Sequence, residues 1–147
     1  MHRTKQNFRE IEHTADVGLE VWGKSLSDLF LNAATGYYNL VLKNHPASTD
    51  FIEKTLELQE ETPEELLVAF LSELNYLVNS HFLIGHYFYP FNLEQRPDNQ
   101  RLTCKVRFIT IPASLRDKLA EIKAVTYHQL SIENQDGWMY TKIFFDI

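Results

Sequence analysis

The sequence has little cysteine, no long apolar run and no cluster of basic residues. Cys104 is its one cysteine among 147 residues, so no disulfide can form within the chain and we expect a reducing, cytoplasmic location. No stretch approaches the roughly 18 apolar residues that a membrane helix needs, and the first residues lack the apolar core of a signal peptide. The net charge of −6 disfavours a protein that binds nucleic acid over its whole surface, because phosphate binding requires clustered Lys and Arg.

The common catalytic signatures are also missing. The chain has no Gly-rich phosphate loop, no paired-cysteine motif and no HExxH zinc helix, and it has no GxSxG nucleophile elbow. The residues that remain for chemistry lie near the two ends of the chain: His13, Asp16, Lys123, His128 and Asp146.

Hydrophobic periodicity predicts one α+β domain over residues 1–147. Two segments have the helical period, and each is preceded by a good N-cap residue, Ser25 in the first and Thr62 in the second. Pro63 and Glu65 strengthen the second start signal. The remaining segments predict about seven strands. We therefore expect two helices packed on one side of a largely antiparallel or mixed sheet.

Three segments of the second half carry more specific expectations. "RLTCKVRFITI" alternates like a half-buried strand, with Arg101, Lys105 and Arg107 on the solvent face and Cys104 on the buried face. "PASLRDKLAE" predicts a loop with a short helical turn. "AVTYHQLSI" and "WMYTKIFFDI" predict strands joined by a hairpin turn in "ENQDG".

The aspartates at the two ends of the chain suggest a cation site. The side chain of Asp146 lies one residue from the α-carboxylate of Ile147, and two adjacent anions repel each other. A hard divalent cation would relieve that repulsion through oxygen ligands, and Asp16 could add a third if the first and last strands meet. Each residue also has a simpler explanation: an Asx turn at Asp16, a hydrogen-bonded structural histidine at His13 or His128, and a solvated charge at Asp146.

The order of four motifs resembles the archease family. "EHTADVG" precedes the capped helix "SLSDLFLNAATG", then come "EIKAVTYH" and the terminal "FDI", so the likeness runs from Phe8 to Ile147. Residues 112–120 depart from the family pattern, because "IPASLRDKLA" keeps Asp117 but has no glycine there.

The resemblance implies a function that the residues alone do not specify. Archeases are accessory proteins of RtcB-type RNA ligases, which join a 3′-phosphate or 2′,3′-cyclic phosphate end to a 5′-hydroxyl. They promote guanylylation of the ligase by GTP so that it turns over repeatedly, as in tRNA splicing. This implies a protein that is not itself an enzyme, contacts RNA only through the ligase, and binds a divalent cation, usually calcium, at Asp16, Asp146 and Ile147.

Further polar residues are expected to face the partner. Lys123, Thr126 and His128 are polar groups in an otherwise apolar segment, where core packing does not require them. His13 is also expected to face the partner. The alternative function is a free-standing metal-dependent hydrolase, in which Asp16 and Asp146 hold the ion and His128 or His13 acts as general base. A ligase gene beside this one would favour the accessory protein.

Overall fold

The computed structural model describes residues 6–12, 16–48 and 50–147. Within them the chain forms eight strands, two α-helices and one 3₁₀ helix at Ala113–Lys118. In chain order these are β1 (Phe8–Glu12), β2 (Asp16–Gly23), α1 (Leu26–Val41), β3 (Ile52–Glu60), α2 (Pro63–His81), β4 (Leu83–Gln95), β5 (Gln100–Thr110), β6 (Ala124–Val125), β7 (Glu133–Gln135) and β8 (Trp138–Asp146).

The strands form two antiparallel sheets, which confirms the α+β class but corrects the expectation of one sheet. The first sheet has the order β1-β2-β8-β6, with β7 also paired to β8, and the second has the order β3-β5-β4. The first sheet therefore joins the start of the chain to its end, while the middle of the chain pairs with itself. Alternating sequence shows which face of a strand is buried but not which strand lies beside it, so the division into two sheets was not predictable from the pattern.

Both predicted helix starts are confirmed by their hydrogen bonds. The Ser25 hydroxyl accepts the backbone N–H of Asp28 at 3.1 Å. The Thr62 hydroxyl accepts the backbone N–H of Glu65 at 3.1 Å and donates to the carboxylate of Glu65 at 2.9 Å. These bonds satisfy N–H groups that have no partner within their own helix.

One apolar core lies between the sheets and the helices. Helix α1 packs against β2 at Gly36, where an added Cβ would lie only 2.7 Å from Cδ2 of Leu19. The two helices meet through Phe30 and Phe70, whose ring centroids are 5.8 Å apart. Among the described residues, no helix is both long and apolar enough to cross a membrane.

The basic face of β5 is exposed, as predicted. Arg101, Lys105 and Arg107 lie on the solvent side, whereas Cys104 is 1% exposed. Glu53 on the neighbouring strand lies 3.8 Å from Lys105 and 3.6 Å from Arg107. This carboxylate balances part of the positive charge, as expected for a solvated sheet surface.

The predicted strand "AVTYHQLSI" is wrong beyond its second residue. Only Ala124 and Val125 pair with β8, and the backbone then turns at His128 and Gln129, where Gln129 has a φ of 53°. A left-handed residue cannot continue a strand. The predicted hairpin turn is confirmed, because Asp136 (φ 51°) and Gly137 (φ 85°) join β7 to β8 with positive φ at both central positions, as a type I′ turn requires.

The segment 112–120 forms the expected loop with a short helical turn. Its 3₁₀ helix is held by Arg116, whose Nε donates to the carbonyl of Ile111 at 3.1 Å. The guanidinium of Arg116 lies 4.0 Å from the ring centroid of Phe82, within the range of a cation–π contact. The loop is thus fixed to the end of α2 without a glycine.

Candidate metal and partner-binding site

Asp16 and Asp146 lie directly opposite each other on neighbouring strands. The antiparallel pairing of β2 and β8 begins with Asp16 opposite Asp146 and continues through Val17 opposite Phe145. Directly opposite residues project from the same face of a sheet, with Cβ atoms about 4.5–5.5 Å apart. The two carboxyl groups that sequence reasoning singled out are therefore neighbours, although 129 positions of chain separate them.

The segment from Lys123 to Thr126 runs along the other side of Asp146. Ala124 is the partner of Asp146 in the β6–β8 pair, and the backbone N–H of Lys123 donates to the carbonyl of Asp146 at 2.8 Å. The N–H of Thr126 donates to the carbonyl of Phe144 at 2.9 Å. The structure thus brings Lys123 and Thr126 next to the aspartate pair.

The structure gives less information on the three other predicted site residues, Ile147, His128 and His13. Ile147 follows Asp146 and is 52% exposed. The backbone N–H of His128 donates to the Thr126 hydroxyl at 3.3 Å, and its imidazole packs edge-on against Phe144, with 5.8 Å between centroids. His13 lies outside the described residues, so its expected role stays a prediction.

The two aspartates suit a hard cation, but no third acidic, histidine or cysteine side chain joins them among the described residues. Like charges directly opposite on a sheet destabilise it, and a divalent ion with oxygen ligands removes that repulsion. Among residues 6–12, 16–48 and 50–147, no three His, Cys, Asp or Glu side chains lie together in a way that could hold a metal ion. The α-carboxylate of Ile147 stays the predicted third ligand, because it is a main-chain group and not one of these side chains.

A buried hydrogen-bond network supports the segment that carries Lys123, and sequence reasoning missed it. Asn75 of α2 is 8% exposed; its side-chain oxygen accepts the hydroxyl of Tyr37 at 2.7 Å. The amide nitrogen of Asn75 donates to the carbonyl of Ile122 at 2.9 Å, and Asn79 donates to the same carbonyl at 3.3 Å. The signal was an asparagine between Leu74 and Leu77 in the apolar stripe of α2.

A second charged cluster occupies the same sheet face as Asp16. Glu20 is 8% exposed; its carboxylate accepts Nε of Arg9 at 2.7 Å and the hydroxyl of Tyr140 at 2.5 Å. Burial acts to raise the pKa of Glu20, but the bonds from Tyr140 and Arg9, together with the positive charges of Arg9 and Lys142, lower it below the ordinary value. Tyr140 is half-buried, and partial burial together with its hydrogen bond to the Glu20 anion raises the pKa of its hydroxyl.

Comparison with known proteins shows the family. The Archease protein family (MTH1598/TM1083) matches residues 8–147. The chain belongs to the archease family. It is 33% identical over 138 residues to the protein archease of Saccharolobus islandicus, covering 92% of this chain and 96% of that one. It is 30% identical over 134 residues to the protein archease of Methanosarcina barkeri, covering 90% and 91% of the two chains.

Solved structures of the family have the same fold. The solution structure of a Methanobacterium thermoautotrophicum protein matches with a TM-score of 0.80 and 25% identity, over 96% of this chain and 99% of that one. The crystal structure of an archease from Thermotoga maritima, described as a possible chaperone, matches with a TM-score of 0.55 and 25% identity over 100% of both chains.

Proposed function

We propose that this archease is a metal-dependent accessory protein that activates an RtcB-type RNA ligase. It promotes guanylylation of the ligase by GTP, so that the ligase turns over repeatedly, and it contacts RNA only through that partner. Asp16, Asp146 and Ile147 hold a divalent cation, with calcium the expected ion. His13, Lys123, Thr126 and His128 face the ligase.

The pairing of Asp16 with Asp146 is the observation that supports this proposal most directly. It places two carboxylates at one end of the sheet, and Asp146 is exposed to solvent. A bound cation supplies positive charge there, which can orient phosphate oxygens and stabilise the charge that develops during nucleotidyl transfer. The backbone N–H of Lys123 bonds to the carbonyl of Asp146, so Lys123 lies at the same end of the sheet as that aspartate.

The fold favours an accessory protein over a metal-dependent hydrolase. A hydrolase would require His128 or His13 to act as a base toward an enclosed substrate. The imidazole of His128 instead packs on Phe144 at an exposed turn. The family likeness is to proteins named archease, one of them described as a possible chaperone, and a helper role agrees with that description.

Turnover of the cognate ligase tests the proposal. RNA joining with excess substrate and GTP is measured with the wild-type protein, Asp16→Asn, Asp146→Asn and the control Asp98→Asn, which changes an exposed carboxylate in the β4–β5 turn. Both site variants are expected to lower calcium affinity about tenfold or more, since loss of about 1.4 kcal/mol of binding already has that effect, and to lose most activation. Wild-type activation by both site variants would contradict the proposal.

A C-terminal tag tests the role of Ile147 separately. The tag converts the α-carboxylate into a neutral amide, which attracts a cation less strongly. We expect normal folding, weaker calcium binding and poor activation, whereas a tag placed before Met1 has little effect. Equal activation by the two tagged proteins would remove Ile147 from the site and leave the two aspartates to bind the ion alone.

A further inference from the structure

A groove lined mainly by residues with polar side chains lies between the second half of α2 and the edge of the first sheet at β6. Its volume is about 380 Å³. The helix contributes Ser72, Asn75, Tyr76, Asn79 and Ser80, and the opposite wall is Lys123, Ala124 and Val125. Because β6 is the last strand in its sheet, the groove lies at a sheet edge, where a segment of another chain can approach it.

The lining of this groove differs in charge from the rest of the protein. The whole chain carries a net charge of −6, yet none of the eight lining residues is acidic and Lys123 is the charged one. Within the described part of the chain, the Lys123 ammonium has no ion-pair partner. The groove therefore presents one cation together with hydroxyl and amide groups, a set that suits an anion able to accept several hydrogen bonds.

We propose that this groove binds an extended, carboxylate-bearing segment of the partner ligase. The proposal rests on the proposed function for the identity of that partner. The carboxylate pairs with Lys123, and the hydroxyl group of Ser72 donates to the segment. Tyr76, 52% exposed at the rim, supplies aromatic contact area of the kind enriched at protein interfaces.

One wall of the groove is bonded directly to the strand that carries Asp146. The backbone N–H of Lys123 donates to the carbonyl of Asp146 at 2.8 Å, and Ala124 is the partner of Asp146 in the β6–β8 pair. Asn75, with both ends of its amide engaged by Tyr37 and Ile122, fixes the spacing between helix and edge. A partner seated in the groove would thus be aligned for contact at Asp146.

A protein segment fits this lining better than a nucleic acid. Binding a phosphate backbone requires several clustered Lys or Arg residues, whereas this groove holds a single ammonium group. The single ammonium group of Lys123, surrounded by neutral hydrogen-bonding groups, is complementary to one carboxylate of a peptide. We therefore expect a bound segment with isolated acidic residues and not a phosphate backbone.

Charge substitutions of opposite sign at Ser80 provide the test. Ser80 is an exposed lining residue of α2, and both Glu and Lys are good helix formers. Thr35→Glu and Thr35→Lys serve as matched controls on an exposed position of α1 outside the groove. Affinity for the full-length ligase is measured by calorimetry at low and high salt, first without RNA or nucleotide and then with RNA added.

We expect Ser80→Glu to weaken binding by about fivefold at low salt and Ser80→Lys to strengthen it by a similar factor. Both effects should shrink at high salt. Thr35→Glu and Thr35→Lys should each change the affinity only slightly, and the two changes should not depend on the sign of the added charge. Equal weakening by both Ser80 variants, no change in either, or tighter binding of Ser80→Glu would overturn the proposal. So would a sign-dependent effect that requires added RNA, because the occupant would then be a phosphate backbone.

The result is separable from the proposed function. If the wild-type protein neither binds nor activates the ligase, the proposed function fails and the groove has no partner of this kind. If the wild-type protein binds and activates while the Ser80 pair has no sign-dependent effect, the groove proposal alone is wrong. Asp16→Asn, assayed in parallel, distinguishes the aspartate pair from the groove, because it leaves the groove lining intact.

Discussion

Removing the Asn75 side chain should destabilise the protein more than removing any exposed amide. Asn75→Ala deprives the Tyr37 hydroxyl of its acceptor at 2.7 Å and the Ile122 carbonyl of its donor at 2.9 Å. Tyr37 is 0% exposed and Asn75 is 8% exposed, so water cannot readily replace these partners. A buried polar group left unsatisfied costs about 1–3 kcal/mol.

The two broken bonds do not have equal weight. The Ile122 carbonyl keeps a weaker contact from Asn79 at 3.3 Å, whereas the Tyr37 hydroxyl has no other hydrogen-bond partner among the described residues. We therefore expect a loss of about 2–4 kcal/mol in the free energy of unfolding for Asn75→Ala. Tyr37→Phe leaves only the Asn75 oxygen without its donor and should cost about 1–2 kcal/mol.

A double-mutant cycle tests this coupling. Urea unfolding is measured for the wild type, for Asn75→Ala, for Tyr37→Phe and for the double variant. If the two groups depend on each other, the double variant will be less destabilised than the sum of the single variants, by about 1 kcal/mol. Asn92→Ala, at an exposed position of β4, is the control and should change stability by less than about 0.5 kcal/mol. A loss below that limit for Asn75→Ala, or strict additivity in the cycle, would refute the network as a structural support.

Two further predictions concern buried titratable groups. The lowered pKa of Glu20 means that its ionised form stabilises the fold above the ordinary value of 4.5, and that this contribution is lost as pH falls through the lower folded pKa. Glu20→Gln should thus be less stable than wild type near neutral pH, with a gap that closes on acidification; a gap constant from neutral to strongly acidic pH would contradict this. Burial raises the pKa of Cys104 to about 12, so a thiol reagent at mildly alkaline pH should react with it only after urea unfolds the protein, and rapid reaction of the native protein would show that the thiol is accessible.

Local features of the sequence predicted local features of the fold. The caps at Ser25 and Thr62 depend on residues three positions apart, and the turn at Asp136–Gly137 depends on two adjacent residues. Such short-range chemistry is visible in a single sequence. The strand predicted over residues 124–132 failed because the backbone is left-handed at Gln129, a conformation that the composition of the segment does not indicate.

Long-range features required the structure. Sequence reasoning named Asp16 and Asp146 as a possible pair, but their meeting depends on strand register, which no local pattern encodes. The buried role of Asn75 was equally hidden, because an asparagine in an apolar stripe predicts a hydrogen bond without identifying Tyr37 or Ile122 as the partners. The groove beside Lys123 followed only from the packing of α2 against β6.

The strand register that places Asp16 opposite Asp146 is set by the apolar core and not by the aspartates themselves. Leu19 lies opposite Ile143, both 0% exposed, and Phe145 beside them is also 0% exposed. Burying each such side chain contributes about 1.5–3 kcal/mol, whereas like charges directly opposite on a sheet cost only about 0.2–1 kcal/mol. A slip of one residue would turn Phe145 and Ile143 to the outer face, a far larger penalty than the repulsion between Asp16 and Asp146. Core packing therefore holds Asp16 opposite Asp146 without help from a cation, and the proposed ion would add its binding energy to a pair of ligands that the fold has already positioned.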